Sequence, residues 1–408
     1  MVKLSDNAQR IQESATMAIT ARAKAMKQAG EDVIAMAAGE PDFDTPAHIA
    51  AAGRQAIESG FTRYTPASGT PELREAWARH IGQQRGVAYN ANQIIITAGG
   101  KQAVWNIIYA LTNPGDEVII PAPYWVSYPE QVRSVGGAPV IVNTIAEQGF
   151  KIAPRSLRDA ITDRTRLFIL NSPSNPTGAV YTRDELMALS EVLVEKQVPV
   201  LSDEVYDALV YDVPRFAHSI AALGEDIYRL TIIVAAMSKT YAMTGWRIGC
   251  AVGPADIIAA AGRIQSHSTS NPNSIAQKAG LAALLGDQSC VETMRQEFDR
   301  RRKYMVGRLQ AMPGVACPEP KGAFYCFPRI SGGYGRTYRG SPLSSQGGGE
   351  LVDGSMNFCR LLLEHEKVAA VPGCEFGADE HMRLSYATSM AQIEEALNRI
   401  ERFVKNLG

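Results

Sequence analysis

From residue 93 onward, five short β-rich runs alternate with stretches of helical period, and this alternation constrains the chain most. The runs are QIIIT (93–97), EVIIP (117–121), RLFILN (166–171), VPVLSD (198–203) and TIIVAA (231–236), with candidate helices at 101–112, 125–135 and 183–196. Apolar runs separated by helices imply a mostly parallel sheet sandwiched by helices, an α/β fold. In such a sheet ligands bind at the carboxyl ends of the strands. Five segments follow those ends: GGK, PAPYW, NSPSNPTG, SDEVY and MSK.

After about residue 287 the pattern changes to a long charged helix, SCVETMRQEFDRRRKYMVGRLQ, then short strands and an amphipathic helix near 390–406. A chain of 408 residues is too long for one core. The expected division is an N-terminal segment (1–47) belonging to a small domain, a large domain (48–290), and the rest of a smaller α+β domain (291–408). The Gly/Ser-rich stretch 331–349 reads as a loop or lid that cannot pack a core.

Lys and Arg total 41 against 42 Asp and Glu, with no long run of one sign, so small metabolites suit the chain better than polyanions. No nucleic-acid or membrane partner is expected. The six cysteines (250, 290, 317, 326, 359, 374) form no C-x-x-C pair and no metal site, and read as reduced thiols of a cytoplasmic protein. No stretch of eighteen apolar residues occurs.

Each strand-end residue has an ordinary reading beside a chemical one. Lys239 follows an apolar run, where desolvation lowers an amine pKa toward what Schiff-base chemistry needs; alone it reads as a structural lysine. Arg247, eight residues on, can grip a phosphate with two hydrogen bonds or serve a salt bridge. Gly99 and Gly100 open a helix and can bring backbone N–H groups to a phosphate, or form a plain turn. Asp203 can cap a helix or pair with a pyridinium nitrogen, with Tyr206 three residues on. Asn175-Pro176 sits in a turn-rich segment suited to a cis peptide. Trp125 can stack on a flat ring. Arg383, in an apolar run, needs a partner such as a substrate carboxylate or an internal acid.

Taken together, AGEPDFDTP (38–46), RYTPASGTPELR (63–74), GGKQA (99–103), PYWVSYPE (123–130), NSPSNPTGAVY (171–181), SDEVY (202–206), SKTYAMTGWRIG (238–249), STSNPNSIAQ (268–277), GAFY (322–325), VPG (371–373) and RLSYAT (383–388) resemble the class I aminotransferases. The likeness is strongest to the bacterial aspartate aminotransferase subgroup of fold-type I pyridoxal-phosphate enzymes, and runs from about residue 10 to the end. It implies pyridoxal 5′-phosphate (PLP) held by Lys239, with Asp203 on the ring nitrogen, Tyr206 and Asn175 on the phenolic oxygen and Trp125 stacked on the ring. Gly99, Gly100, Lys101, Ser238 and Arg247 would hold the phosphate end, with Tyr64 reaching across from the neighbouring subunit of a homodimer. Arg383, with Asn175 and the backbone of Gly39, would bind the substrate α-carboxylate, and Trp125 would also contact substrate; Lys101, with Ser14 and Thr16, would meet a distal carboxylate. Lys239, Asp203 and Tyr206 are the implied catalytic residues.

Two departures stand out. Ala236 occupies a position where the family often has Ser or Gly, and 265–274 holds no arginine for the distal carboxylate. The resemblance implies ping-pong transamination between aspartate and 2-oxoglutarate. Prephenate, aromatic or broad-range transamination, or a carbon–sulfur lyase, would keep the same cofactor residues. A PLP-dependent transcription regulator would need a preceding DNA-binding domain, for which there is no room; a phosphate loop built on GGK lacks the G-x-x-x-x-G-K-[ST] spacing.

Overall fold

The structure is a computed structural model that describes residues 3–11, 15–212, 215–338 and 350–408. A short strand, β1 (Ile34–Ala35), precedes seven strands of one sheet: β2 (Ile94–Thr97), β3 (Glu117–Ala122), β4 (Ala138–Asn143), β5 (Thr165–Asn171), β6 (Val200–Asp203), β7 (Thr231–Ala236) and β8 (Gly249–Val252). Their order is β2-β8-β7-β6-β5-β3-β4. Only β8 runs against its neighbours. The central strands β6 and β7 are buried along their whole length, as continuous apolar runs require when helices cover both faces.

Sequence patterning omits β4 and β8. All six residues of β4 are only half-buried or exposed on the sheet edge, and β8 is four residues long with glycine at its start, so neither shows a long β-rich run. The helices Gly100–Leu111 and Arg183–Lys196 fall where the period puts them, and the third begins at Ser127, leaving Trp125 in the preceding loop.

The rest of the chain builds a second core. A long helix (Ser289–Gln310) and the C-terminal helix (Met390–Lys405) share a core with β9 (Tyr325–Cys326), β10 (Thr337–Tyr338), β12 (Val368–Ala369) and β14 (Met382–Ser385), to which β11 (Glu350–Leu351) and β13 (Val371–Pro372) are joined by pairing. Strands β13, β14 and β9 form an antiparallel sheet, β10 pairs with β11, and β1 pairs parallel with β12. Residues Ile34 and Met36 therefore share this core with residues beyond 290. The reading of 331–349 as a loop or lid that cannot pack a core needs correction at its start. Tyr338 is buried and stacks on Phe403 and His365, because one aromatic ring gives a glycine-rich segment enough apolar surface to dock. The remainder, 339–349, lies outside the described residues. Among the described residues no helix is long and apolar enough to cross a membrane. All six cysteines are free thiols.

Candidate active site

Strands β5 and β6 end in register, with Asn171 beside Asp203, so two polar side chains leave the sheet together at its carboxyl edge. Asn171 donates to the Asp203 carbonyl at 3.0 Å and accepts from the Asn175 N–H at 2.8 Å, which seats the NSPSNP loop on the strand ends. The Asn175–Pro176 bond is cis, as are Ser172–Pro173 and Ala122–Pro123. The buried Asp203 carboxylate accepts from Tyr128 Oη at 2.6 Å and from the Val205 N–H at 3.2 Å. Burial, and to a smaller degree the charge of Glu204, raises its pKa to about 6 against the pull of those two bonds.

Strand β7 delivers Lys239 through one helical turn, Met237–Thr240. Its Nζ donates to the Gly39 carbonyl oxygen. Desolvation, reinforced by the charges of Arg383 and Arg247 and opposed by Glu40, lowers the amine to about 8. A neutral, nucleophilic amine is therefore present in quantity near physiological pH.

The next turn back in space is an anion cradle. Gly99 has φ +80°, and the helix Gly100–Leu111 starts beside it with first-turn N–H groups that have no helical partner. Arg247 donates to the carbonyls of Thr244 (2.9 Å) and Ala98 (3.2 Å), which holds its guanidinium against Gly99. A Cβ at Gly99 would stand 2.5 Å from Arg247 Nη2, and one at Gly249 would stand 2.7 Å from the Gly100 nitrogen. Both positions need glycine for this close approach.

Arg383 comes from β14 in the second core. Its guanidinium donates to Asn175 Oδ1 at 2.9 Å and to the Ala37 carbonyl at 2.8 Å, and lies 4.5 Å and 5.2 Å from the ring centroids of Tyr325 and Phe376. Nε has no partner, and among the described residues no carboxylate neutralises the group. A buried cation without a counter-charge is costly, so the site is incomplete without an anion. The Tyr325 hydroxyl also meets the Tyr206 hydroxyl at 2.9 Å.

These groups line one cavity of about 470 Å³. Of the residues singled out in the sequence, Gly39, Gly100, Lys101, Trp125, Asn175, Asp203, Tyr206, Ser238, Lys239, Arg247 and Arg383 line it, as does Ala236. Gly99 backs the cradle. Lys101 places its ammonium 5.0 Å from the Trp125 ring at the cavity wall, where burial first and Arg247 second lower its pKa. Tyr64 lies outside the cavity and is 91% exposed. Ser14 lies outside the described residues; Thr16 belongs to the helix Ala15–Gln28 with its side chain undescribed. Sequence reasoning gave no role to Tyr128, Asn171 and Tyr325. Tyr128 lies three residues beyond Trp125, in the first turn of the helix that Trp125 precedes, and Asn171 is the polar residue closing the apolar run LFIL.

A lysine that deprotonates near pH 8, sharing a cavity with an anion cradle and a bare arginine, belongs to the chemistry of enzymes that carry an aldehyde cofactor and act on amino acids. The chain is a member of that class: residues 31–400 match the family Aminotransferase class I and II, and the chain belongs to it. It is therefore an aminotransferase of the PLP-dependent, fold-type I kind, acting on amino acids and 2-oxo acids. It is 48% identical to the aspartate/prephenate aminotransferase of Cereibacter sphaeroides over the full length of both chains. The aspartate aminotransferase of Rhizobium meliloti superposes with a TM-score of 0.95 at 42% identity, covering all of both chains. That of Thermus thermophilus, solved with maleate, gives 0.90 at 41%, covering 99% of this chain and 100% of that one.

Proposed function

We propose that the enzyme transfers the amino group of aspartate to 2-oxoglutarate in two half-reactions at this cavity. The observation that carries the reading is Lys101, a cation at the wall of the cavity that already holds the anion-seeking Arg383, with no acid paired to it among the described residues. A substrate with a carboxylate at each end suits two such cations. The names of the relatives and the maleate of the Thermus structure support it.

The residues fit PLP. The Gly99–Gly100 cradle with Arg247 suits its phosphate, the buried Asp203 its ring nitrogen, and Trp125 its flat face. Bound there, PLP supplies an aldehyde that takes up the substrate nitrogen and a protonated ring that accepts the electron pair left at Cα. Asp203, ionised and desolvated, keeps the ring nitrogen protonated, and Tyr128 holds the carboxylate in place. Tyr206 and the amide nitrogen of Asn175 would donate to the cofactor's phenolic oxygen. Lys239 Nζ would hold the cofactor at rest and, once freed by substrate, would carry the proton from Cα to the cofactor's aldehyde carbon, C4′, and carry it back the other way in the second half-reaction. Arg383 grips the α-carboxylate with its fork, assisted by Asn175 and the Gly39 backbone, while Ser238 adds a donor at the phosphate end. Lys101, with Ser14 and Thr16, meets the distal carboxylate.

The working unit on this reading is a homodimer in which the exposed Tyr64 reaches the partner's phosphate site. Each subunit divides into a large domain (48–290) and a small one (1–47 with 291–408), a division supported by the pairing of β1 with β12. The 48% relative also favours prephenate as a second amino acceptor. The test is Lys101→Ala. Loss of a charge-assisted hydrogen bond, about 1.5–3 kcal/mol, lowers kcat/KM for aspartate and glutamate roughly tenfold to hundredfold and leaves phenylalanine little changed. An unchanged aspartate-to-phenylalanine ratio refutes the dicarboxylate assignment.

A further inference from the structure

The turn that follows β6 has two faces. Asp203 and Tyr206 line the cavity, whereas Glu204 and Asp207, each one residue further along, do not. Both of these acids are buried, and both end on one buried guanidinium, that of Arg85, the last residue of the helix Pro71–Arg85. Nε of Arg85 donates to Glu204 Oε2, and Nη2 donates to Asp207 Oδ2 at 2.8 Å. The other oxygen of Glu204 accepts from Ser202 (2.9 Å) and Ser219 (2.6 Å), so that carboxylate has no freedom to turn. The backbone closes the same turn through Asp207 N–H to the Glu204 carbonyl at 3.0 Å, and ties it to β7 through Glu204 N–H to the Val234 carbonyl at 2.9 Å.

We infer that Arg85 is a positioning residue for the reaction: by clamping Glu204 and Asp207 on the face away from the cavity, it fixes the turn that presents Asp203 and Tyr206 to the cofactor ring. The inference rests on the assignment of Asp203 and Tyr206 to that ring. Three carboxylates fall within five positions here, and a single cation outside the cavity holds two of them together. Without it, two desolvated like charges repel, and the turn between them relaxes. A guanidinium does this work because its planar fork meets two acceptors in fixed directions, which an ammonium on a flexible stem cannot do.

Arg85→Lys keeps the charge and removes the fork, so it is the direct test. As a control for general loss of stability we choose Arg302→Lys. Arg302 is an equally buried guanidinium, bound to Asp299, Glu319 and the Pro320 carbonyl in the other core, away from the cavity. Misplacement of reacting groups by an ångström costs up to about a hundredfold. The expected result for Arg85→Lys is a fall in kcat of about tenfold or more, with KM for aspartate within about twofold, and an altered visible circular dichroism of bound PLP that reports a tilted ring. Arg302→Lys is expected to lower the melting temperature without either change. An Arg85→Lys enzyme with native kcat and dichroism, or one whose changes Arg302→Lys reproduces, overturns the inference. Should Arg85→Lys fail to fold, Asp207→Asn keeps the Arg85–Glu204 pair and takes its place. A lower kcat with a changed dichroism at native melting temperature supports the clamp, and native values for both overturn it. Asp203→Ala, measured in parallel, separates the two readings: turnover retained there refutes the role of Asp203, while turnover lost there but kept in Arg85→Lys refutes only the clamp.

Discussion

Burial moves Asp203 and Lys239 in opposite senses, and in both cases toward the uncharged form. The consequences for pH have definite signs. Asp203 titrates near 6 when folded against an ordinary 3.8, so between these values the folded apo-protein holds a proton that the unfolded chain has released, and stability falls as pH rises through that window. Lys239 titrates near 8 against 10.5, so between those values the unfolded chain holds the extra proton, and stability rises with pH. Thermal melting of the apo-enzyme should therefore show Asp203→Asn gaining on the native protein as pH is raised from about 4 to about 6; a constant gap contradicts the burial argument. Lys239→Ala should fold, abolish transamination and prevent borohydride from fixing the cofactor to the chain. A reduced adduct on another lysine would overturn the assignment. Arg383→Ala should weaken aspartate and phenylalanine alike, by about 2–5 kcal/mol in kcat/KM, because both carry an α-carboxylate and the truncation leaves it without its cation. A loss confined to dicarboxylates would put Arg383 at the other end of the substrate.

The helix Gly100–Leu111 and its glycine entrance act as one device, since the amides of the first turn reach an anion only if the preceding residue has no side chain. Gly99→Ala forces a β-carbon into a positive-φ, extended-ψ backbone that glycine alone adopts readily, at about 1–3 kcal/mol, and pushes Arg247 aside. PLP affinity should fall at least about tenfold, measured by titrating the apo-enzyme, with only a small drop in melting temperature. Native affinity would mean that the phosphate sits elsewhere. Elements of this kind are legible in sequence because backbone geometry demands a residue type: GGK, NSPSNP and the polar ends of the apolar runs all mark strand ends. What was not legible has equally physical causes. The strand β8 is short and borders the cradle, so its first residue answers to the Gly100 backbone rather than to β propensity. Tyr128 and Tyr325 look like core aromatics by pattern, and only the fold brings their hydroxyls to Asp203 and Tyr206. The Arg85 clamp joins residues more than a hundred positions apart, beyond the reach of any local period.

Over the whole molecule, the cavity draws Lys239 and Asp203 from the seven-stranded sheet and Arg383 from the second core, so its wall bridges the two. Tyr64, almost fully exposed, completes the site only if a second subunit supplies it. Mixing Lys239→Ala subunits with Tyr64→Ala subunits should then rebuild one sound site in each mixed dimer, about a quarter of all sites at random assortment. Activity no greater than the sum of the parents would place Tyr64 outside the machinery. The most direct test of the central claim is the absorbance of the purified holoenzyme mixed with aspartate alone, and then with 2-oxoglutarate. The expected result is a shift of the cofactor band with release of oxaloacetate in an amount equal to the subunits, reversed when 2-oxoglutarate is added and glutamate appears. A band that does not move with aspartate, or that moves while ammonia is released, would contradict it.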